Sequence, residues 1–391
     1  MSAQATGNAA PPAAQAPQRK PPLPGLTGIR TFLAIGIMLF HFTPPHITYI
    51  KPVIESGFTY ISFFLLISGF ILSYNYAHRA ATLKVKEFYL ARAARLYPVY
   101  ILSLIVSLHM FSEEWTARSH TEFWMGTILT PLLLQGWSPL LATFWNTVAW
   151  TLSTEAMLYL AFPFLNRAKF WPKSAGKLIA LFFGFWILEL IIPTTYYLIN
   201  PDGLAHIDRY SYGYWLRFMK YTPLPYLPIF MAGITLGHLN SIVQLSDRAK
   251  MWMSMGAGAI ILTIFYTLIQ DLPYVMLHGG AMTPFFAVLI LGLTGTHWLS
   301  KLLTWGPIEL LGEASFCLYL LHFNTWILLH DFHVWERLKL AQFDPWISYV
   351  VMIGFAYLAF LFVEKPARRY LLQKWVGRAP YSMKPKAPGL M

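Results

Sequence analysis

The chain has 391 residues, of which 56% are hydrophobic, 17% are aromatic and 12% are charged, and its formal net charge is +12. A soluble domain carries about a quarter charged residues, so this composition excludes an ordinary soluble enzyme and indicates a polytopic helical membrane protein. The basic residues lie in short segments between apolar runs, which argues against a nucleic-acid partner and points to membrane lipid as the surroundings. The single cysteine, Cys317, excludes an intrachain disulfide, and no metal is expected because no Cys and His cluster is present.

The predicted elements begin after a segment rich in Ala, Pro and Gln. Residues 1–24 contain no apolar core segment, so they predict a disordered cytoplasmic tail rather than a signal peptide. Eleven apolar runs follow, at about 29–48, 58–77, 96–111, 122–137, 146–165, 178–199, 223–240, 251–270, 281–299, 305–329 and 346–367. The run at 122–137 is the weakest candidate for a span, because it contains Gly126 and Pro131.

The distribution of Lys and Arg decides between ten and eleven spans. If the run at 122–137 does not cross the membrane, 22 of the 29 Lys and Arg residues fall on one side and 7 on the other. The positive-inside rule assigns the richer side to the cytoplasm. The sequence therefore predicts an all-α protein with about ten transmembrane helices, both termini cytoplasmic and a re-entrant element near 122–137.

The first predicted helix carries Arg30 and His41, eleven residues apart. Eleven steps of about 100° return to nearly the same helical face, and at about 1.5 Å per residue they climb roughly 16 Å. We expect Arg30 to mark the edge of the membrane and His41 to lie near its middle. An ionisable side chain at that depth is expensive, which makes it a candidate functional residue.

Arg92 and Arg95 are i, i+3 neighbours at the entrance to the third predicted helix, so they share a helical face. Two guanidinium groups at the cytoplasmic mouth suit the phosphates of an anionic cofactor. The alternative is that both are ordinary positive-inside charges.

Glu155 lies on a predicted helix that runs inward, about ten residues or roughly 15 Å from its cytoplasmic end. This estimate places Glu155 at the same height as His41. A carboxylate at that height would hold the imidazole for general-base catalysis. The alternative is that the two groups are unconnected and bridge helices.

Further polar and aromatic residues have weaker signals. Tyr319 and His322 lie one turn apart in the outer half of the ninth helix, where they line an outer cavity or anchor the chain at the interface. Gly69 is expected to be a close-packing point and Glu364 an ion-pair residue at a helix end. The aromatic residues at 210–226 either stack on sugar rings or form an interfacial belt.

Taken together, these motifs resemble acyltransferase family 3, a family of membrane O-acyltransferases. The matching motifs run in order from about residue 25 to 371: Arg30-x10-His41, Phe63-Phe64 to Ser68-Gly69-Phe70, Arg92-x-x-Arg95, Trp150 to Glu155 with Tyr159, Gly312 to Ser315 with Tyr319 and His322, and Glu364-Lys365-Pro366. The chain departs from the family pattern at Thr27, where an aspartate is common, and at Ala156, where a second glutamate is usual.

The resemblance implies a bacterial inner-membrane enzyme that moves an acyl group, commonly acetyl, from acyl-CoA to a hydroxyl of a carbohydrate or glycolipid acceptor. It implies a transmembrane acyltransferase unit over 25–371, a basic cytoplasmic tail over 372–391, and acyl-CoA as donor with no permanently bound cofactor. The residues that it implies are His41, Glu155 and Arg30 for catalysis, Arg92 and Arg95 for acyl-CoA, and Tyr319, His322 and Ser153 for substrate binding.

Two functions from other classes remain open at this point. A proton-coupled transporter or flippase of an envelope lipid or glycan would use His41 and Glu155 as a proton relay. A non-catalytic scaffold leaves both residues unexplained. A transporter predicts discontinuous helices in both halves, whereas only the run at 122–137 is broken by Gly and Pro. Within the enzyme reading, direct attack on the thioester and a transient acyl-histidine are both open.

Overall fold

The structure is a computed structural model and describes residues 20–269 and 271–377. These residues contain helices and turns and no β-strand. The α-helices are α1 (Pro24–His41), α2 (Lys51–Glu55), α3 (Tyr60–Tyr76), α4 (Val85–Val106), α5 (Phe111–Ala117), α6 (His120–Leu129), α7 (Trp150–Leu165), α8 (Ala175–Ile199), α9 (Tyr214–Tyr221), α10 (Leu227–Ile242), α11 (Asp247–Thr267), α12 (Tyr274–His278), α13 (Thr283–Gly292), α14 (Trp298–Leu302), α15 (Gly306–Asp331), α16 (Val334–Arg337), α17 (Trp346–Ala359) and α18 (Lys365–Val376).

Short 3₁₀ segments and one π-helix connect or extend the α-helices. The 3₁₀ segments are Ser56–Thr59, Ala77–Thr82, Ser107–Met110, Gln135–Trp137, Ala168–Phe170, Leu224–Tyr226 and Ala341–Phe343, and the π-helix is Phe360–Glu364. The π-helix lies directly before Pro366, whose ring cannot fit a regular α-helical turn and which has no N–H to donate. α18 runs to Val376, past the predicted domain boundary at 371.

Seven continuous helical stretches within the described residues are long and apolar enough to cross a membrane. They are Pro24–His41, Lys51–Tyr76, Val85–Ala117, Ala175–Ile199, Asp247–Thr267, Tyr274–Gly292 and Trp346–Val376. Three other helices, α7, α10 and α15, coincide with the remaining predicted spans. The all-α membrane architecture is therefore confirmed, while the count of ten and the side of the termini stay predictions. The two predicted tails lie largely outside the described residues.

The segment at 122–137 contains a helix that is too short to span. α6 has ten residues and is about 15 Å long, against about 30 Å of bilayer hydrocarbon. It begins with a capping box, in which Ser119 and Glu122 each accept a backbone N–H of the other. The irregular backbone that follows is covered by protein: Gln135 is fully buried and its amide donates to the Ala149 carbonyl at 3.3 Å.

Close helix contacts at glycines fix the helices around the site. A Cβ added to Gly69 of α3 would lie 2.3 Å from the Phe230 carbonyl of α10, so the predicted close packing at Gly69 is confirmed. A Cβ on Gly312 of α15 would lie 2.1 Å from the Thr27 carbonyl of α1. α1 and α15 run in the same direction, so residues near the start of one helix contact residues near the start of the other, as Gly312 contacts Thr27. Residues near their ends are likewise neighbours, as His41 and His322 are.

Candidate active site

A cavity of about 760 Å³ lies between α1, α3, α4, α7 and α15. Its volume is in the range of small-molecule sites. Basic and polar side chains surround one end of the cavity, including Lys20, Asn75, His78, Arg92 and Arg368. Ile61, Phe64, Thr151, Ser315 and Tyr319 line the rest of the wall toward the opposite end.

Four arginines line the cavity: Arg30 of α1, Arg92 and Arg95 of α4, and Arg368 of α18. Two carboxylates accompany them. Arg30 and Arg95 each interact electrostatically with Glu155 and Glu364, whereas Arg368 interacts with Glu364 and with Arg92 and Arg95. Four guanidinium groups against two carboxylates leave an excess of positive charge, which suits an anionic ligand.

Arg92 has unused hydrogen-bonding capacity. Its guanidinium lies 5.6 Å from the ring centroid of Phe88 and 5.7 Å from that of Tyr159. Its Nε is buried, and it has no hydrogen-bond partner within the part of the chain that the structure describes. A buried donor without a partner is unusual in a protein interior and is explained when a ligand supplies the acceptor.

Glu155 lies among the arginines and not against His41. Tyr159, one turn further along α7, donates a hydrogen bond to Glu155 Oε1. Among the described residues, neither Glu155 nor His41 has an interaction with the other. The expectation that the two are level is wrong, because α1 begins at Pro24, so that Arg30 lies about 9 Å inside the helix instead of at its edge. Glu155 instead interacts electrostatically with Arg30, which precedes His41 by roughly 16 Å along α1.

Tyr319 and Thr151 line the end of the cavity that is opposite the arginines. The Tyr319 hydroxyl lies 3.0 Å from Thr151 Oγ1 and donates to the Val148 carbonyl at 3.1 Å. His322 follows one turn later on α15, with 6.0 Å between the two ring centroids, and it is 1% exposed. Its Nδ1 must carry the proton, because it contacts the Tyr319 carbonyl at 2.8 Å, and this leaves Nε2 as a buried acceptor without a partner.

His41 lies next to His322, at the end of α1 opposite the arginines. The two imidazole centroids are 5.3 Å apart, and the rings of Phe40 and Phe323 pack at 5.4 and 5.2 Å from His41. His41 is half-buried, and within the described residues neither of its ring nitrogens forms a hydrogen bond. An imidazole with unbonded nitrogens at a partly open position can accept a proton from a ligand hydroxyl.

Of the predicted site residues, His41, His322 and Ser153 are not part of the cavity wall, and Ser153 is the one whose side chain holds the protein's own backbone. It is 1% exposed, it is not part of the cavity wall, and its hydroxyl accepts a hydrogen bond from the Gly136 N–H at 3.3 Å. This bond fastens the irregular segment after α6 to α7. Ser153 therefore supports the backbone around the cavity in this structure.

Three further residues lie around the site that the sequence did not assign to it, although Glu364 was expected to form an ion pair. Glu364 is 5% exposed and accepts a hydrogen bond from Cys317 Sγ at 3.2 Å, so it is buried behind the arginines. Arg368 lies four residues after Glu364, a spacing that predicts an oppositely charged pair on one face of a helix. Arg209 interacts electrostatically with His41 from the segment between α8 and α9, and no local pattern reveals that approach.

Comparison with known proteins is consistent with this arrangement. Residues 23–364 match the model of a family described as Acyltransferase domain. The chain is similar to the acyltransferase MdmB of Streptomyces mycarofaciens, with 26% identity over 78% of this chain and 80% of that protein. It is also similar to the O-acetyltransferase OatA of Staphylococcus aureus, with 21% identity over 89% of this chain, but it spans only 57% of that protein's length. No solved structure matches the chain.

Proposed function

Because the chain belongs to the acyltransferase family whose model it matches over residues 23–364, we propose that it moves an acyl group from acyl-CoA to a hydroxyl of a carbohydrate or glycolipid of the cell envelope. The observation that carries the proposal is a cavity with arginines at one end and Tyr319 at the other, where His322 and then His41 follow Tyr319 beyond the cavity wall. Acetyl is the first acyl group to test, since the relative OatA is named an O-acetyltransferase.

The arginine end is assigned to the donor. Arg92, Arg368 and Lys20 at the mouth offer charge-assisted hydrogen bonds to the phosphates of CoA. The pantetheine arm follows the cavity past Arg30 and Glu155, so that the thioester reaches the Tyr319 end. Since Arg30 is roughly 16 Å from His41 along α1 and Glu155 interacts with Arg30, we assign both to positioning the donor rather than to the reacting atoms.

His41 is assigned as the general base. It takes the proton of the acceptor hydroxyl, the hydroxyl oxygen forms a bond to the thioester carbonyl carbon, and the carbon–sulfur bond breaks. The CoA thiolate leaves and recovers a proton. His322, with its free Nε2, lies between the end of the cavity and His41. In the alternative route, the acyl group resides briefly on His41 before the acceptor takes it. Both routes require His41.

We place the arginine end and both chain termini on the cytoplasmic side of the bacterial inner membrane, and the His41 end toward the outside. The support is the excess of Lys and Arg on the predicted cytoplasmic side and the fit of acyl-CoA, a cytoplasmic donor, to the arginines. The proton relay of a transporter gains no support, because His41 and Glu155 have no interaction with each other among the described residues.

The test is release of free CoA from acetyl-CoA by the purified protein in detergent, with a panel of glycan acceptors and mass spectrometry of the products. His41→Ala should abolish release. His46→Ala is the matched control, because His46 is an exposed histidine five residues away that has no ring contact with His322 or Phe323 within the described residues. Normal turnover by a folded His41→Ala protein would contradict the proposal. So would the absence of acetyl-CoA binding.

A further inference from the structure

Arg209, which does not line the cavity, brings a positive charge to His41. Its guanidinium lies 4.2 Å from the ring centroid of Phe40 and 4.6 Å from that of Tyr210, and it interacts electrostatically with His41. The residue belongs to the segment between α8 and α9, which therefore covers the end of α1. Any acceptor that reaches His41 from this side passes Arg209.

The guanidinium of Arg209 is not engaged by the protein. Within residues 20–269 and 271–377 it forms no hydrogen bond and no ion pair, and its contacts are with aromatic faces. A second cation, Lys220, is fixed directly behind it: Lys220 is 4% exposed, and its Nζ donates to the Arg209 carbonyl at 3.2 Å. Among the residues that the structure describes, the other two N–H donors of this ammonium group have no acceptor.

The carboxylates of this segment are occupied elsewhere. Asp202 accepts the N–H groups of Trp215 and Leu216 at the start of α9. Asp208 interacts electrostatically with Lys220, but the hydrogen bonds that its carboxylate accepts come from the hydroxyl and backbone N–H of Ser211 and from the backbone N–H of Tyr210. Neither aspartate forms an ion pair with Arg209 or Lys220 among the described residues, so the two cations are not neutralised at contact distance.

A buried histidine beside Lys220 also lacks a partner. His278 is 5% exposed, interacts electrostatically with Lys220, and its Nδ1 has no hydrogen bond within the described part of the chain. Cationic donors without acceptors are costly in a protein interior, and an anion resolves the cost. The Tyr210 ring that Arg209 contacts is 77% exposed, and such an aromatic face suits the C–H surface of a sugar.

We propose that Arg209, with Lys220 behind it, binds an anionic group of the acceptor, so that the acceptor is a saccharide carrying a carboxylate or phosphate near the hydroxyl that is acylated. This inference rests on the proposed function, because it takes His41 as the residue that meets the acceptor. It assigns the aromatic segment at 210–226 a share in acceptor recognition in addition to any role at the membrane interface.

The test compares glucuronic acid and glucose 6-phosphate with neutral glucose, as ligands without acetyl-CoA and as acceptors with it. Arg209→Gln should weaken binding of the anionic sugars at least tenfold and leave glucose unaffected, and Arg209→Lys should restore part of the binding. Arg337→Gln is the control, since Arg337 is an exposed arginine on the same predicted face. The carboxylate and phosphate arms show which anion the site prefers.

Each outcome separates this inference from the proposed function. If acyl transfer proceeds and glucose serves as well as the charged sugars in both wild type and Arg209→Gln, the anion site is wrong and the acyltransferase function stands. Equal loss of turnover with neutral and anionic acceptors also overturns it, because Arg209 then acts on the thioester oxygen. If anion binding depends on Arg209 but no acceptor is acylated, the site stands and the proposed acceptor chemistry fails.

Discussion

Replacement of Arg92 by Gln should weaken acetyl-CoA binding without disturbing the fold. Arg92 is the best arginine for this test, because its Nε has no protein partner and it forms no ion pair within the described residues. Arg95 is a poorer choice, since its removal would take away one of the cations that interact with the carboxylates of Glu155 and Glu364 in a buried site. Gln keeps much of the length of the side chain and removes the charge.

The expected loss follows from the strength of one charge-assisted hydrogen bond. Such bonds contribute about 1.5–3 kcal/mol, and about 1.4 kcal/mol corresponds to a factor of ten in a dissociation constant. Arg92→Gln should therefore raise the Kd for acetyl-CoA by roughly 10- to 100-fold. The dependence of Kd on salt concentration should also become shallower, because one phosphate contact is lost.

Isothermal titration of the purified protein with acetyl-CoA and with pantetheine tests this assignment. Pantetheine lacks the phosphates, so its affinity should be the same in wild type and Arg92→Gln. Arg167→Gln is the control, because Arg167 is an exposed arginine of the same predicted face that does not line the cavity. An unchanged Kd for acetyl-CoA in Arg92→Gln, or an equal loss for pantetheine, would refute the assignment of this end to the CoA phosphates.

Two further predictions concern stability. Gly69→Ala should destabilise the protein by about 1–3 kcal/mol, because the added Cβ would lie 2.3 Å from the Phe230 carbonyl oxygen. Gly184→Ala is the control, since the space around Gly184 is open, and it should not lower the melting temperature measured in detergent. Burial, followed by the charge of Arg217, lowers the pKa of Lys220 from 10.5 to about 8. Between pH 8 and 10.5 the unfolded chain binds more protons than the folded chain, so the free energy of unfolding should rise with pH by up to about 3 kcal/mol in wild type. This rise should be absent in Lys220→Met. Unfolding free energies that change with pH in the same way in both proteins would contradict this prediction.

The membrane architecture follows from the sequence because hydropathy and charge act locally. Each of the ten predicted spans overlaps a helix, although the bounds differ by several residues, and Gly69 and Gly312 lie at close contacts as small residues in packed helices should. The segment after α6 also behaves as its Gly and Pro content indicated. These features depend on residues near one another in the chain, which is why the pattern reveals them.

The site could be predicted from the sequence only in part, because the depth of each side chain in the membrane depends on the residue at which its helix begins. The start of α1 at Pro24 moves Arg30 inward, and Glu155 consequently meets Arg30 and Arg95 instead of His41. The pairing of His41 with His322 depends on the parallel packing of α1 and α15, which no single motif specifies. Arg209 reaches His41 from a separate segment, and only the tertiary structure brings the two together.

The central claim is that donor and acceptor meet the protein at opposite ends, with Arg92 and Arg368 at one and His41 at the other. The most direct measurement uses sealed membrane vesicles of known orientation, with acetyl-CoA confined to the cytoplasmic side and a membrane-impermeant acceptor saccharide on the other. Acetylated saccharide should form in this arrangement, and His41→Ala should abolish it. Product that forms only when acetyl-CoA and acceptor share one compartment would contradict the claim.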